Sequence, residues 1–402
     1  MKVTDEQQLQ LKIAETIIGE CPARFATAFA TAAAPDAAYL WAWGAAAGRG
    51  MSRAEARRAA VFEAIERACS LTGGPSDPRV RHAPAGLGRP IAAETLSHYS
   101  SDQMKNLLVN AKFNSSTSCG YPVDELWIPG YNLVAPEDRR ALPASAVLFG
   151  EDVRLGLPPV FSSSSGAALR DTVAAAARHG LLERLERDHV AIWWYNRLIV
   201  PRLDTAAAMA LLPGALADWL AGRRRATWHL VLPSDLGVTA IVALSARADG
   251  THPAIGAAAG LDPATAVLSA TLEMLQGEIA LAHMRAAQRT ATPPPVPELL
   301  AWSVATNARA IPFLAGEGTA APPDALAWPN LLARLAEQGI AAYVADLTRP
   351  EFDVPVVRVV SPELRDWQPR FAPGRLFDVP VALGLRDRPL AVDELNPVGF
   401  VI

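Results

Sequence analysis

The sequence predicts a mixed α/β fold of the α+β class, in which long helices alternate irregularly with short strands. In three long stretches, apolar residues recur every three or four positions, as they do on the buried face of a helix. Between these stretches lie short apolar segments bounded by proline and glycine, a pattern typical of strands. Half of the 402 residues are apolar and 19% are charged, so the chain can bury a large core.

The elements follow in order along the chain. Residues 1–45 are expected to form an N-terminal helical segment, and residues 46–402 the main domain. The proline-rich run at 293–297 should be an extended connector, because proline fixes φ and lacks an amide donor. The predicted helices are Arg53–Ser70, Asp171–Trp194 and Pro263–Ala287, and the predicted strands are Val147–Phe149, Thr227–Leu232, Val238–Leu244, Ala341–Val344 and Val356–Val360.

Composition argues against several functional classes. The net charge of −4 gives no basic excess with which to bind nucleic acid or a membrane surface. The basic run Arg223–Arg225 is typical of a solvated helix end. Cys21, Cys69 and Cys119 show no zinc-ligand spacing. Without a signal peptide or a long apolar run, the chain is expected to be cytoplasmic and not bound to a membrane.

Two of the predicted helices carry the same short pattern, Glu-x-x-Glu-Arg, 120 positions apart. Residues three apart share a helical face, so each copy presents two carboxylates beside a guanidinium. A single copy is typical of a solvated face, whereas two copies that meet would raise each other's pKa values unless a cation is present. Magnesium suits such ligands and commonly bridges to nucleotide phosphates. The candidates are Glu63, Glu66 and Arg67 in the first helix, and Glu183, Glu186 and Arg187 in the second.

Two further features could complete such a site. The third helix contains Glu273 and Gln276, again three positions apart in a largely apolar stretch. The serine-rich turn 162–166, which includes Ser164, precedes the second helix. It could bind an anion through its amides and hydroxyls, or be a flexible loop with serine caps. Gly48-Arg49-Gly50 is too short for a Walker motif, so any ATP site here is of an unusual kind.

At these residues the chain resembles the YcaO family, whose motifs it follows in order from about Gly48 to Leu383. The family's Gly-Lys-Gly and first Glu-x-x-Glu-Arg helix resemble the segment 48–67. Its serine-containing turn and Glu-x-x-Glu-Arg-Asp helix resemble 164–188. Further similar segments are 126–130 with 142–144, 263–276, 345–350 and 373–376.

The resemblance implies an ATP site lined by glutamates that hold Mg²⁺, with no Walker loop. Arg67, Arg187 and Gln276 would steady the nucleotide or the acidic side chains, and Ser164 would belong to the same site. The residues implied as metal or phosphate ligands are Glu63, Glu66, Glu183, Glu186 and Glu273.

The chain departs from the family pattern at the start of the second helix. The family usually has asparagine followed four residues later by glutamate, where this chain has Asp171 and Ala175. Both positions are expected on one helical face. We therefore hypothesise that Asp171 takes over part of the lost coordination and belongs to the ATP site.

The activity implied is ATP-dependent phosphorylation of a peptide backbone amide, with cyclodehydration of Cys, Ser or Thr to thiazoline or oxazoline in a ribosomally synthesised peptide. Thioamide or amidine formation by the same activation, and a non-catalytic scaffold, stay open as alternatives. The chain lacks the alternating prolines with which many azoline-forming members end. The implied partners are a precursor peptide, a separate leader-binding protein of the ubiquitin-activating type and, in many members, a flavin-dependent azoline dehydrogenase, within a homo-oligomer or hetero-complex.

Overall fold

The computed structural model describes residues 11–30, 45–110, 125–156 and 163–400. Ser162 and Cys119 lie outside these ranges, and Cys21 and Cys69 are buried free thiols. In the described residues, no helix combines the length and apolar character needed to cross a bilayer. The described helices are α1 Arg53–Ser70, α2 Ala93–Ser97, α3 Ser101–Asn110, α4 Ala144–Val147, α5 Glu151–Arg154, α6 Val173–Asn196, α7 Thr205–Ala210, α8 Gly214–Gly222, α9 Pro263–Ala287, α10 Glu298–Ala305, α11 Pro312–Ala315, α12 Trp328–Glu337 and α13 Arg375–Ala382.

The described strands are β1 Leu11–Thr16, β2 Arg24–Ala30, β3 Ala45–Gly50, β4 Arg89–Pro90, β5 Trp127–Asn132, β6 Arg139–Pro143, β7 Ala167–Leu169, β8 Arg202–Leu203, β9 Ala226–Val231, β10 Thr239–Ala246, β11 Ala254–Gly260, β12 Thr319–Ala320, β13 Tyr343–Asp346 and β14 Val356–Val360. They form three sheets, in the orders β1-β2-β3, β11-β10-β9-β8-β12 and β4-β6-β5-β13-β14-β7. Helix α1 packs on the first sheet and α9 on β10 and β11 of the second, while α6 contacts both β14 and β11.

The N-terminal segment corrects one prediction, because residues 11–16 and 24–30 are antiparallel strands and not helices. Leu11 and Ile13 are half-buried and pack towards α1, while Lys12 between them is exposed. A side-chain period of two is that of a strand, and it outweighs the helix-forming composition of the segment. The strand prediction at Val147–Phe149 is also wrong, because Val147 ends α4 and only Phe149 forms an isolated bridge, to Leu71.

Helix α6 joins the two larger sheets and is buried along most of its length. Its first half packs in a core with β13, β14 and α12, through residues such as Leu181 and Leu185. Its second half places Trp193 and Trp194 in an aromatic core against the five-stranded sheet. Near its middle, the buried carboxylate of Asp188 pairs with Arg375 at 2.7 Å. This central position carries the second Glu-x-x-Glu-Arg pattern into the interior of the fold.

Candidate active site

Three strand–helix units, one in each sheet, present their polar residues in the same register. In each unit a strand is followed by an N-cap residue, Ser52, Thr172 or Asp262. Its side chain accepts a hydrogen bond from the amide three residues on, at 3.2, 3.1 and 2.8 Å respectively. Eleven and fourteen positions after each N-cap come the predicted site residues, which are Glu63 and Glu66, Glu183 and Glu186, and Glu273 and Gln276.

These residues meet in one cavity of about 740 Å³ enclosed by α1, α6 and α9. A second cavity of about 620 Å³ adjoins it and shares Arg49, Glu63, Glu66 and His179 as walls. Asp171 borders the second cavity. The structure thus brings together all ten predicted residues, nine of them in the first cavity: Glu63, Glu66, Arg67, Ser164, Glu183, Glu186, Arg187, Glu273 and Gln276.

Glycines allow two of the strands to lie directly on their helices. A Cβ on Gly48 would lie 2.1 Å from the carbonyl oxygen of Ala56, and one on Gly256 would lie 2.2 Å from the amide nitrogen of Met274. At this close approach, the amide of Ala47 donates to Glu63 Oε2 at 2.9 Å. The amide of Ala257 likewise donates to Glu273 Oε2 at 2.7 Å. Backbone packing therefore fixes the first carboxylate of the α1 and α9 units.

Arginines pair with several of the cavity carboxylates. Arg67 pairs with Glu63 one turn earlier on α1. Arg187 pairs with Glu183 at 2.9 Å and lies 3.6 Å from Glu186, and its guanidinium stacks on Trp367 at 3.1 Å from the ring centre.

Arg49 connects the first unit to the third. From β3 it donates to Gln276 Oε1 at 3.1 Å and to Glu273 Oε1 at 3.2 Å. Arginine suits this position because its forked guanidinium can donate to both side chains.

The cavity crowds more carboxyl groups together than its guanidinium groups can pair with. Its walls carry six carboxylates and four guanidinium groups. Burial, followed by repulsion from Glu183 and Glu63, raises the pKa of Glu66 well above its usual value. Burial raises the pKa of Glu186 to about 8, with Arg187 opposing and Glu273 adding to the shift. A cation in this cavity would relieve that repulsion.

The family model described as YcaO cyclodehydratase, ATP- and Mg²⁺-binding, matches residues 47–365. The chain belongs to the YcaO family. The matched segment contains every one of the ten predicted site residues. A search of curated proteins finds no match.

Three solved structures show the same fold. A heterocyclase in complex with substrate and cofactor has a TM-score of 0.80 and 24% identity, covering 97% of this chain and 54% of its own. The heterocyclase TruD has a TM-score of 0.68 and 28% identity, with 88% and 51% coverage. YcaO from Methanopyrus kandleri bound with AMPPCP and Mg²⁺ has a TM-score of 0.63 and 22% identity, with 90% and 88% coverage. The chain therefore spans about half the length of the first two proteins.

The serine-rich turn of this YcaO chain is held in place by a residue distant in sequence. The hydroxyls of Ser163 and Ser165 both donate to Asp366 Oδ2 at 2.8 Å. Burial alone would raise the pKa of Asp366, but Arg370, Arg184 and Ser163 hold it well below its usual range. Ser164 is left exposed on the cavity wall. Of the described serines in the turn, Ser164 is the one positioned to meet a ligand in this cavity.

The start of α6 corrects the expectation for Asp171 and Ala175. The helix begins at Val173 and Thr172 is its N-cap in extended conformation, so Asp171 precedes the helix and does not share a face with Ala175. Ala175 is the third helical residue, and its amide bonds to the cap. Asp171 is exposed and borders the second cavity beside Arg170. Its share in coordination stays a prediction.

The five glutamates are spread over the cavity wall. Within the part of the chain that the structure describes, no three His, Cys, Asp or Glu side chains form a group that could hold a metal alone. Mg²⁺ bound with a nucleotide needs only one or two carboxylates, because phosphates and waters fill its other positions. The donor set therefore fits a magnesium–nucleotide complex better than a closed protein cage, and the individual ligands stay a prediction.

Sequence reasoning missed several residues of the cavity walls. His179 precedes Glu183 by one helical turn, and Thr265 and Ser269 precede the predicted Glu273 at intervals of four. Helical spacing could have found these. Two supporting residues, Trp367, which stacks on Arg187, and Asp366, which holds the serine-rich turn, have no local signal, because their loop lies about 180 positions after Arg187.

Proposed function

We propose that this YcaO protein uses ATP and Mg²⁺ to phosphorylate backbone amides of a peptide and thereby forms thiazoline or oxazoline rings from Cys, Ser or Thr. The observation that carries the proposal is the convergence of three helices on one cavity rich in glutamate and arginine. The family model, described as an ATP- and Mg²⁺-binding cyclodehydratase, supports it.

The reaction requires that the charge of the ATP phosphates be neutralised and that the peptide and ATP be positioned for phosphoryl transfer. The peptide's thiol or hydroxyl attacks the preceding carbonyl carbon, and the former carbonyl oxygen takes the γ-phosphoryl group of ATP. Phosphate then leaves with that oxygen as the C=N bond forms, so the products are azoline, ADP and phosphate. An amide oxygen is a poor leaving group until it is phosphorylated. Phosphoryl transfer itself depends mainly on orientation and electrostatic stabilisation.

The chain's own residues divide these tasks. Arg49, Arg67 and Arg187 orient the carboxylates through the contacts described above. Bound magnesium would neutralise charge between nucleotide phosphates, and the residues that would hold it are Glu63, Glu66, Glu183, Glu186 and Glu273. Ser164, in the serine-rich turn on the cavity wall, would donate a hydrogen bond to a phosphate or to the peptide.

The partners form part of the proposal. On the resemblance to the family, we propose that the protein works in the cytoplasm on a precursor peptide delivered by a leader-binding protein, within a larger complex.

The test is magnesium-dependent ATP binding by the purified chain, measured by calorimetry with and without EDTA. The double variant Glu183→Gln, Glu186→Gln should lose at least about tenfold in affinity, because two charged ligands are removed from one wall. The matched control removes two exposed carboxylates elsewhere, as Glu298→Gln, Glu337→Gln, and should bind like the parent chain.

Two further results would reject or narrow the proposal. Absence of binding, also with a candidate partner protein present, would leave the scaffold alternative in place. Binding with conversion of a peptide to a thioamide or amidine would keep the ATP site and replace the azoline assignment. Loss of 18 Da per ring in mass spectrometry is the mark of cyclodehydration, since one water is lost per ring.

A further inference from the structure

A different charged cavity lies at the C-terminal end of α9. Its volume is about 400 Å³. It shares no wall residue with the glutamate cavity, and Arg285 lies nine residues beyond Gln276, about 13 Å along the helix. Its walls combine charged and aliphatic residues, among them Arg225, Glu278, Arg285, Ile17, Ile18 and Ile279.

The basic run Arg223–Arg225, of which Arg225 lines this cavity, is not the solvated helix end that its sequence predicts. Only 9% of the Arg223 side chain and 24% of the Arg225 side chain are exposed. Both pair with Glu278, at 3.0 and 3.2 Å. Arg225 also donates to the carbonyl oxygen of His252 at 2.9 Å. Arg223 and Arg225 are therefore built into the fold, and Arg224 is the exposed member of the run.

Arg285 adds a third guanidinium that the described part of the chain does not neutralise. Its Nε and Nη2 atoms are buried and have no acceptor among the described residues. Burial, followed by repulsion from Arg225 and Arg247, lowers its pKa. A buried donor without an acceptor destabilises the folded chain, and a bound anion would remove that cost. With Glu278 already shared by two arginines, the cavity is short of an anion.

The remaining walls indicate the kind of molecule that brings this anion. Ile18, Ile279 and Leu281 form an aliphatic surface beside the arginines, and Ile17 is 58% exposed at the rim. A free phosphate would leave this surface in water. A peptide with a carboxylate next to an aliphatic side chain would contact both the arginines and the aliphatic surface. Arginine binds carboxylates through paired N–H groups, and burial of the aliphatic surface away from water stabilises the complex.

We propose that this cavity is a binding site for a peptide segment that carries a glutamate or aspartate next to an aliphatic residue. The carboxylate pairs with Arg285 and Arg225, and the aliphatic side chain packs on Ile17, Ile18 and Ile279. The site is independent of ATP binding, and it concentrates positive charge on a protein whose net charge is −4.

The probe is N-acetyl-Leu-Glu-Leu amide, titrated into the full chain while the methyl resonances of Ile17, Ile18 and Ile279 are followed by NMR. These resonances should shift, and the Gln counterpart of the peptide should bind at least about tenfold more weakly, since it lacks the charge-assisted pairing. Arg285→Gln should cause a similar loss. Arg289→Gln, which removes an exposed charge one turn further along, should bind within twofold of the parent chain.

Several outcomes would overturn the proposal. Equal binding of the Glu and Gln peptides would remove the anion requirement, and binding unchanged in Arg285→Gln would place the peptide elsewhere. Absence of shifts at millimolar peptide, or competition by inorganic phosphate at the same concentration, would reject a peptide site. Displacement by ATP and Mg²⁺ would show that the peptide occupies the glutamate cavity. Thermal midpoints of both variants establish that they are folded.

Discussion

Helices α1 and α6 carry the same Glu-x-x-Glu-Arg pattern at the same distance from their N-caps, yet their arginines have different surroundings. On α1, which packs on the three-stranded sheet, the Arg67 side chain is 24% exposed and also donates to the carbonyl oxygen of Ala45 at 2.6 Å. On α6, which lies between two sheets, the Arg187 side chain is 13% exposed, serves two glutamates and stacks on Trp367. The same motif thus forms a partly exposed ion pair on α1 and a more buried network of one arginine, two glutamates and a tryptophan on α6.

The first glutamates of the two copies differ in a second way. Glu63 accepts the amide of Ala47 as well as Arg67. The equivalent strand amide in the other unit, that of Ala167, instead bonds to the carbonyl oxygen of Ser164 at 3.1 Å. Among the described residues, Glu183 is therefore held by Arg187 without a backbone donor. The α1 copy is the more firmly fixed, and the α6 copy keeps more carboxylate oxygen available to a ligand.

The largest effect should follow from removing the arginine of each copy in turn. Arg187→Leu leaves Glu183 and Glu186 in a cavity without their shared cation and should lower the free energy of unfolding by about 3 kcal/mol. Arg67→Leu, at the more exposed pair, should cost about 1 kcal/mol. Urea unfolding in EDTA measures both. Equal losses would show that the surroundings of the two copies do not set the strength of their ion pairs.

The next effect concerns the second glutamate of α6 and its pH dependence. The pKa of Glu186 rises from 4.5 to about 8 in the folded chain, mainly through burial. The folded state therefore favours the protonated form of Glu186. Its contribution to the free energy of unfolding is greatest below pH 4.5 and is lost as the pH rises through 8. Without nucleotide, Glu186→Gln should be more stable than the parent chain by about 2 kcal/mol at pH 8.5.

Thermal unfolding of both proteins at pH 5 and pH 8.5 measures this difference, and it should be smaller at the lower pH. The same variant should bind ATP with magnesium more weakly, since it lacks a charged ligand. A variant that is less stable at pH 8.5 would mean that the pairing of Glu186 with Arg187 outweighs its burial. Glu337→Gln, at an exposed carboxylate, controls for loss of one negative charge.

The sequence predicts the elements whose signals are local. Two helices, Arg53–Ser70 and Pro263–Ala287, begin and end where their patterns predict, because each joins apolar periodicity to an N-cap. The prediction of a helical segment is wrong for Leu11–Thr16 and Arg24–Ala30, which are strands. Their stability comes from pairing with each other and with Ala45–Gly50, and such tertiary contacts override local propensity.

The site divides in the same way. Carboxylates three apart on a helix could be recognised because the spacing itself brings them to one face. The bridge from Arg49 to Gln276 crosses 227 positions, and the stacking of Trp367 on Arg187 likewise joins distant segments. Such contacts have no periodic signal. That the three helices meet in one site is implied by the resemblance to the family, because the spacing within any one motif says nothing about its distance from the others.

The smallest effect should come from the first turn of α6, where the two copies differ in sequence. The third residue of α1 is Glu55, whose carboxylate accepts the amide of Met51 at 2.8 Å, whereas α6 has Ala175 at this position. Asp171 is the nearby carboxylate that could compensate, but it is exposed and lies before the helix. Asp171→Ala should therefore weaken ATP binding with magnesium by only about threefold.

Adding Ala175→Glu to that variant should recover the affinity and raise the thermal midpoint slightly, because a glutamate at the third position completes a capping box with Thr172. Calorimetric titration of the parent chain and the two variants decides between the carboxylates. Unchanged affinity and turnover in Asp171→Ala would mean that Asp171 has no share in the site. If Ala175→Glu then still strengthened binding, the parent chain would lack a ligand at position 175 that the family pattern supplies. Glu183 and Glu186, oriented by Arg187, would then be the remaining carboxylates of α6 that could hold magnesium at the phosphates.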